Sequence, residues 1–311
     1  MGKHQIVVSA ENNPYMGWQC KLFYFSCVTR LNQQPIIIVH ETEQDWHPDF
    51  YDLAKAGCAV HSAPNYRTAN CGDDLPGRNC PGSLIKAAEV CDGREEFIVL
   101  CDPDMIFLRA TDFLECLSAE FSSFMDYDRD HVEHARLRFE IQRDELDAKK
   151  QKLTVAVPYV VPKALASEFG RTWLQAIDTF PSRAWENEQR LNRPAGSPVY
   201  ERRHVVMYAF GLAVVKLGLD LQVTHLTDHN YWPNEPARAP MIHYAYGDEC
   251  WDKRNYFTDE RASEVWEPQP QAAEGTILSE VLSQLRQARD FYRDFFRSSL
   301  NPIDRHWSFD P

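Results

Sequence analysis

The sequence predicts an α/β fold built on a mainly parallel sheet with helices on its faces, and three observations lead there. Strand-like apolar runs alternate with stretches of helical apolar spacing between Gln5 and Phe107. The run Phe97-Ile-Val-Leu-Cys101 is apolar throughout, as a strand covered on both faces must be. The chain has 311 residues, 44 % of them hydrophobic and 12 % aromatic, and one of this length can bury about 75 % of its unfolded surface.

Taken in order, Gln5 to Ser9 reads as a strand, and Gly17 to Leu31 as a helix with Trp18, Leu22, Phe25, Val28 and Leu31 at helical spacing. Pro35 to Val39 is a second continuous apolar strand, Asp49 to Lys55 a short helix, and Ala59-Val60 a third strand. Ala63 to Gly82 is rich in Pro, Gly, Asn and Asp and reads as a long loop; loops of that length are commonly functional. Ser83 to Val90 follows as a helix, then Glu96 to Cys101 as the clearest buried strand.

Residues 126 to 152 carry dense mixed charge with sparse apolar positions at Val132, Leu137, Phe139, Ile141 and Leu146, which predicts a partly exposed helical insertion. Leu153 to Val161 is a strand, and Lys163 to Thr179 a helix opened by Pro162. Val205 to Val215 is a buried helix. Thr276 to Arg297 places Ile277, Val281, Leu285, Ala288, Tyr292 and Phe295 on one face of a final helix. Neither an internal repeat nor a sharp boundary divides the chain, so residues 1–311 are expected to form one domain.

The charge narrows the function. With 33 Lys and Arg against 46 Asp and Glu the net charge is −13. Such a chain is repelled by phosphate backbones and anionic lipids unless its basic residues cluster, and they do not, so nucleic acid and membrane surfaces are excluded as partners. The start, MGKHQIVVSAENN, lacks the basic segment and apolar core of a secretory signal. The apolar stretch Val205 to Val215 is well short of the ~20 residues that span a bilayer. Nine cysteines, an odd number with no CxxC pair, several inside apolar runs, predict reduced thiols and a cytoplasmic location.

Chemistry concentrates at Asp102-Pro103-Asp104. A buried strand delivers two carboxylates, two residues apart, to the edge of a sheet, and in open α/β sheets ligands bind beyond the carboxyl ends of the strands. Neighbouring acids repel, and a hard divalent cation such as Mg²⁺ or Mn²⁺ is the usual compensation, commonly shared with substrate phosphates. Two further signals are His243, after a short apolar strand, and the basic pair Lys253-Arg254.

Six ordered motifs resemble the plant hydroxyproline O-arabinosyltransferases and peptidyl serine α-galactosyltransferases. Trp18-Gln19-Cys20 with Lys21 to Tyr24 is similar to their first helix, and Asn79-Cys80-Pro81 to their N-[RK]-P. Phe97 to Ile106 is similar to their apolar strand ending in [ED]-x-D, and Met207 to Phe210 to their M-Y-[AG]-Y. Ile242-His243-Tyr244-Ala-Tyr246-Gly247 and Asp252-Lys253-Arg254 complete the series.

The resemblance implies a GT-A glycosyltransferase that uses a UDP-sugar and Mn²⁺ or Mg²⁺ to glycosylate a hydroxyl on a peptide or small molecule, with retention assisted by the leaving phosphate. It divides the chain into a nucleotide-sugar half (1–125), the charged insertion (126–152), an acceptor half (153–270) and a C-terminal helix and tail (271–311). Asp102, Asp104 and His243 would hold the metal, with Asp102, Asp104 and Lys253 the catalytic set. Ser9, Ala10, Glu11, Gln19, Lys253 and Arg254 would bind the donor.

Three departures stand beside these expectations. The families carry Glu where this chain has Val206, a basic residue where it has Cys80, and a membrane anchor that the sequence does not show. Glu201, Asp228 and Asp248 are acids available to replace the missing one. A sugar-nucleotide or glycan-binding protein that keeps the fold without catalysis is the alternative, whereas a nucleotidyltransferase would need a Gly-rich basic phosphate loop near the N-terminus, which is not there.

Overall fold

The computed structural model describes residues 3–299 apart from 42–44, 92, 124, 186–203, 230–232, 246 and 248. Its first third is the alternation read from the sequence: β1 (His4–Glu11), α1 (Pro14–Ser26), β2 (Ile36–Glu41), α2 (Pro48–Lys55), β3 (Ala59–Pro64), α3 (Asn79–Val90) and β4 (Phe97–Cys101). The chain then forms β5 (Met105–Phe107), β6 (Ser118–Phe121), α4 (Asp130–Arg138), α5 (Arg143–Lys149), β7 (Val155–Pro162) and α6 (Lys163–Thr179). An apolar helix, Val205–Lys216, precedes three short strands, β8 (Gln222–Thr224), β9 (Thr227–His229) and β10 (Met241–His243), and a helix covers Ile277–Ser299.

Seven strands make the main sheet in the order β3-β2-β1-β4-β7-β6-β8. β1 pairs in parallel with β2 and with β4, β2 in parallel with β3, and β7 runs antiparallel between β4 and β6. The chain therefore winds outward from β1 to β3 and returns to the other side of β1 with β4. That reversal opens a crevice at the carboxyl ends of β1 and β4. A second sheet, β5-β10-β9, begins after a gap of three residues beyond β4.

Local chemistry fixes the elements that frame the crevice. α1 starts where Pro14 sets the backbone angle and the Asn13 side chain accepts from the Met16 N–H at 2.8 Å. After a wider turn at Cys27–Leu31 it stops at Asn32, held in the left-handed conformation at φ 52°. α6 buries Ala166, Phe169, Trp173, Ala176 and Ile177. A Cβ on its Gly170 would lie 2.8 Å from the Pro81 carbonyl oxygen, so the absent side chain lets α6 press on the first turn of α3. Tyr159 stacks on Phe210 at 4.2 Å, joining β7 to helix Val205–Lys216.

Some readings need correction. The charged stretch 126–152 is not one helix, because the backbone turns left-handed at Glu140 (φ 56°) and divides it into α4 and α5. The long loop is shorter than read, since β3 runs on to Pro64 and α3 begins at Asn79. Strands β6, β8 and β9 carried no recognisable apolar run, being three or four residues long with Ser118, Glu120, Gln222 and Asp228 among them. All nine cysteines are free thiols, five of them buried. Among the described residues no helix is long and apolar enough to cross a membrane.

Candidate functional site

The crevice is a cleft of about 190 Å³. One wall is the end of β1 and the first turns of α1, with Ser9, Ala10, Glu11, Tyr15, Met16 and Gln19. The opposite wall is the turn entering α3, with Pro76, Gly77, Asn79 and Cys80. Asp102, Pro103, Asp104 and Lys253 complete it.

Asp102 and Asp104 follow β4 directly, on the turn that carries the chain from the main sheet into β5. Backbone contacts hold β10 against that turn: Tyr244 N–H donates to the Asp104 carbonyl at 2.9 Å, and β10 pairs antiparallel with β5. His243, the last residue of β10, is thereby placed with Nε2 3.3 Å from Asp104 Oδ1 and 4.0 Å from Asp102 Oδ2. One ligand atom from each of the three residues lies within 4.8 Å of the others. His243 Nδ1 is buried and makes no hydrogen bond among the described residues.

Lys253 arrives by a close backbone approach. A Cβ on Gly247 would sit 2.0 Å from the Trp251 carbonyl oxygen, so only glycine lets the two segments meet. The Asp252 side chain then accepts from the Arg254 N–H at 2.8 Å and opens a short 3-10 turn. Its first residue, Lys253, donates to Asp104 Oδ2 and stands 5.9 Å from the centre of the Tyr15 ring.

Electrostatics separates the two acids. Burial, then the charge of Asp104, pushes the Asp102 carboxyl up to about 6. Burial acts on Asp104 in the same direction, but Lys253 and His243 more than offset it and hold that carboxyl well below the usual carboxylate range. Burial likewise opposes the charged form of Lys253, and Asp104 outweighs it, keeping the ammonium above its ordinary value. The Cys80 thiol, raised by burial and by Asp102, is protonated and a poor nucleophile.

The structure thus brings Ser9, Ala10, Glu11, Gln19, Asp102, Asp104 and Lys253 to one cleft, with His243 behind the acids. It does not bring Arg254 there: its side chain is 60 % exposed and pairs with Asp252. Asp228 is likewise committed, accepting from the Arg238 and Ala239 N–H groups at 2.6 and 2.7 Å. Glu201, Tyr246 and Asp248 lie outside the described residues. Val206 reaches the cleft wall, where its Cγ2 packs against Gly77.

Sequence reasoning did not single out Tyr15 and Met16, nor Pro76 and Gly77 within the long loop Ala63 to Gly82, all of which line the cleft. Nor did it single out His229, paired beside His243 in the β9–β10 ladder with ring centres 5.5 Å apart. The Asn13-Pro14 helix start and the Pro76-Gly77 turn are the signals that could have found the first four.

No protein-family model matches the sequence, and a comparison with curated proteins finds no match. Among solved structures, the fold is similar to that of the galactosyltransferase LgtC, determined in complex with donor and acceptor sugar analogs. The two are 13 % identical, with a TM-score of 0.45 over 87 % of this chain and 98 % of that one.

Proposed function

We propose that this chain is a metal-dependent GT-A glycosyltransferase that transfers a sugar, of arabinose or galactose type, from a UDP-sugar to a hydroxyl on a peptide or small molecule, with retention. One observation carries the reading. Two carboxylates and an imidazole converge at the carboxyl end of β4, in a cleft that also receives a buried lysine.

The donor set fits a hard or borderline divalent cation, since carboxylate oxygens suit Mg²⁺ and Mn²⁺ and one imidazole is compatible with the latter. Asp102, Asp104 and His243 would hold it, and bound there it would act as Lewis acid and template for a donor diphosphate. The protein's own groups do the rest. Lys253 supplies positive charge for the leaving diphosphate, and removing a group of that kind costs on the order of 3 kcal/mol in the transition state. The first turns of α1 and α3 both face the cleft, and α1 has no acid in its first turn to oppose an anion. Ser9, Ala10, Glu11 and Gln19 would contact the nucleoside portion. Arg254 would join the donor site only by leaving Asp252.

The test is a donor screen for manganese-dependent UDP release from UDP-arabinose, UDP-galactose, UDP-glucose and UDP-N-acetylglucosamine. Release from at least one donor, lost in Asp104→Asn, is expected. Val206 favours a second reading, a sugar-nucleotide-binding protein without catalysis, because it presents methyl groups where the resembling enzymes have an acid. That reading predicts UDP binding with release from none of the four donors.

A further inference from the structure

Glu11 poses an electrostatic difficulty for any anionic ligand. It lines the same cleft as Asp102 and Asp104, and its side chain is only 16 % exposed. A third carboxylate there would repel a diphosphate unless something cancelled it.

Arg67 offsets part of that charge from outside the cleft. Its Nη1 lies 3.0 Å from both Oε1 and Oε2 of Glu11. Its Nε and Nη2 donate to the two oxygens of Asp74 at 2.5 and 2.6 Å. The guanidinium is therefore gripped between an outer carboxylate, Asp74, and an inner one, Glu11. The loop that carries it is itself braced, because Leu75 N–H donates to the Arg67 carbonyl at 2.8 Å and Thr68 bridges to Asp74. Asn79 ties the loop to α3, accepting from the Tyr66 N–H at 2.8 Å.

We propose that Arg67 is a positioning residue: it opposes the charge of Glu11 and fixes the carboxylate so that its remaining lone pairs accept from a hydroxyl or imide N–H of the donor nucleoside. The inference rests on the donor-binding reading above and extends it to a residue that touches no ligand. A lysine would bring the charge but not the planar fork that reaches two carboxylates at once. Once Arg67 is removed, Glu11 remains as an uncompensated charge facing the phosphates.

Calorimetric titration of UDP in the presence of Mn²⁺ tests this on the full chain, with melting temperatures measured in parallel. Arg67→Gln is expected to weaken UDP binding about tenfold or more, and Arg67→Lys by a smaller factor. Adding Glu11→Gln to Arg67→Gln is expected to restore part of the loss, because the unpaired charge is then gone; a loop that had merely collapsed would not recover this way. Wild-type affinity in Arg67→Gln, or a double variant that binds no better than Arg67→Gln, overturns the proposal. If Arg67→Gln does not fold, Arg67→Lys decides: affinity equal to wild type overturns the fork argument. Absence of UDP binding by the wild-type chain would instead sink the donor reading, and is seen before any variant is made.

Discussion

Gly77 and Val206 touch so closely that a Cβ on the glycine would lie 2.6 Å from the valine Cγ2. The turn into α3 and the first turn of helix Val205–Lys216 therefore meet with no room for a methyl group. Val206 cannot easily retreat, since its carbonyl accepts from the Trp173 indole N–H at 2.7 Å. Gly77→Ala is expected to destabilise the fold by about 1–3 kcal/mol through overpacking. Adding Val206→Ala should recover much of that loss if the clash is the cause. Urea denaturation of the two variants measures both numbers.

Lys253 and Asp104 form a buried ion pair, each side chain about a tenth exposed. Replacing Asp104 by Asn leaves a buried ammonium without its partner, which costs about 3–5 kcal/mol. Asp104→Asn should thus lose stability as well as turnover, and Lys253→Met in the same background should restore stability without restoring turnover. Denaturation midpoints and UDP release, read on the same preparations, separate the two effects.

A divalent cation that binds only the folded chain raises its stability by about 2.7 kcal/mol at a hundredfold excess over Kd. Mn²⁺ is expected to raise the melting temperature of the wild-type chain. The gain should be small or absent in His243→Ala, which keeps both carboxylates. An equal gain in that variant would remove His243 from the proposed metal site.

Two buried groups make opposite demands on pH. Burial pushes the Glu120 carboxyl up to about 7, while Leu226 N–H and the Thr224 hydroxyl donate to its Oε2. The folded state then holds a proton that the unfolded state releases near 4.5, so this group's contribution to stability falls as pH rises from about 4.5 to 7. Burial lowers His40 to about 4. Its Nδ1 faces the Pro64 carbonyl and must donate, so its Nε2 accepts from Ser83. That neutral form is favoured above the ordinary histidine value of 6.5 and is lost as pH falls toward 4.

Each group carries a swing of about 3 kcal/mol, of opposite sign over overlapping ranges. They largely cancel in the wild-type chain. Glu120→Gln should unmask the acid loss and stabilise the chain more at pH 8 than at pH 5. His40→Gln should leave stability falling as pH rises from 5 to 7. Thermal melts across that range test both slopes.

The apolar content of individual strands decided how much of this was legible in the sequence. β4 and β2 are buried on both faces and announce themselves as unbroken apolar runs. α6 was bounded correctly at Lys163 and Thr179 because Pro162 marks its start and its apolar positions recur at helical spacing. β6 was missed because Glu120 occupies a bulged position inside it, a role set by Leu226, which lies 106 residues later. Asp102 and Asp104 were visible because their strand is local. The pairing of Arg67 with Glu11 was not, because nothing in either segment records that the loop after β3 reaches past β2 to the end of β1. Arg254 shows the opposite failure: its position beside Lys253 suggested a shared task, but the turn that points Lys253 inward points its neighbour out to Asp252.

The lysine that neutralises Asp104 stands 149 residues further along the chain. At a synthesis rate of about 5–20 residues per second, roughly 7 to 30 s pass between the emergence of the two. β1 to β4 can pair with one another during that interval, because the ladders among them are made of chain that has already emerged. The carboxylates at the end of β4 must wait in water, since burying them before His243 and Lys253 arrive would leave two like charges without a counterion. The end of the sheet that carries Asp102 and Asp104 is therefore its last part to close during synthesis.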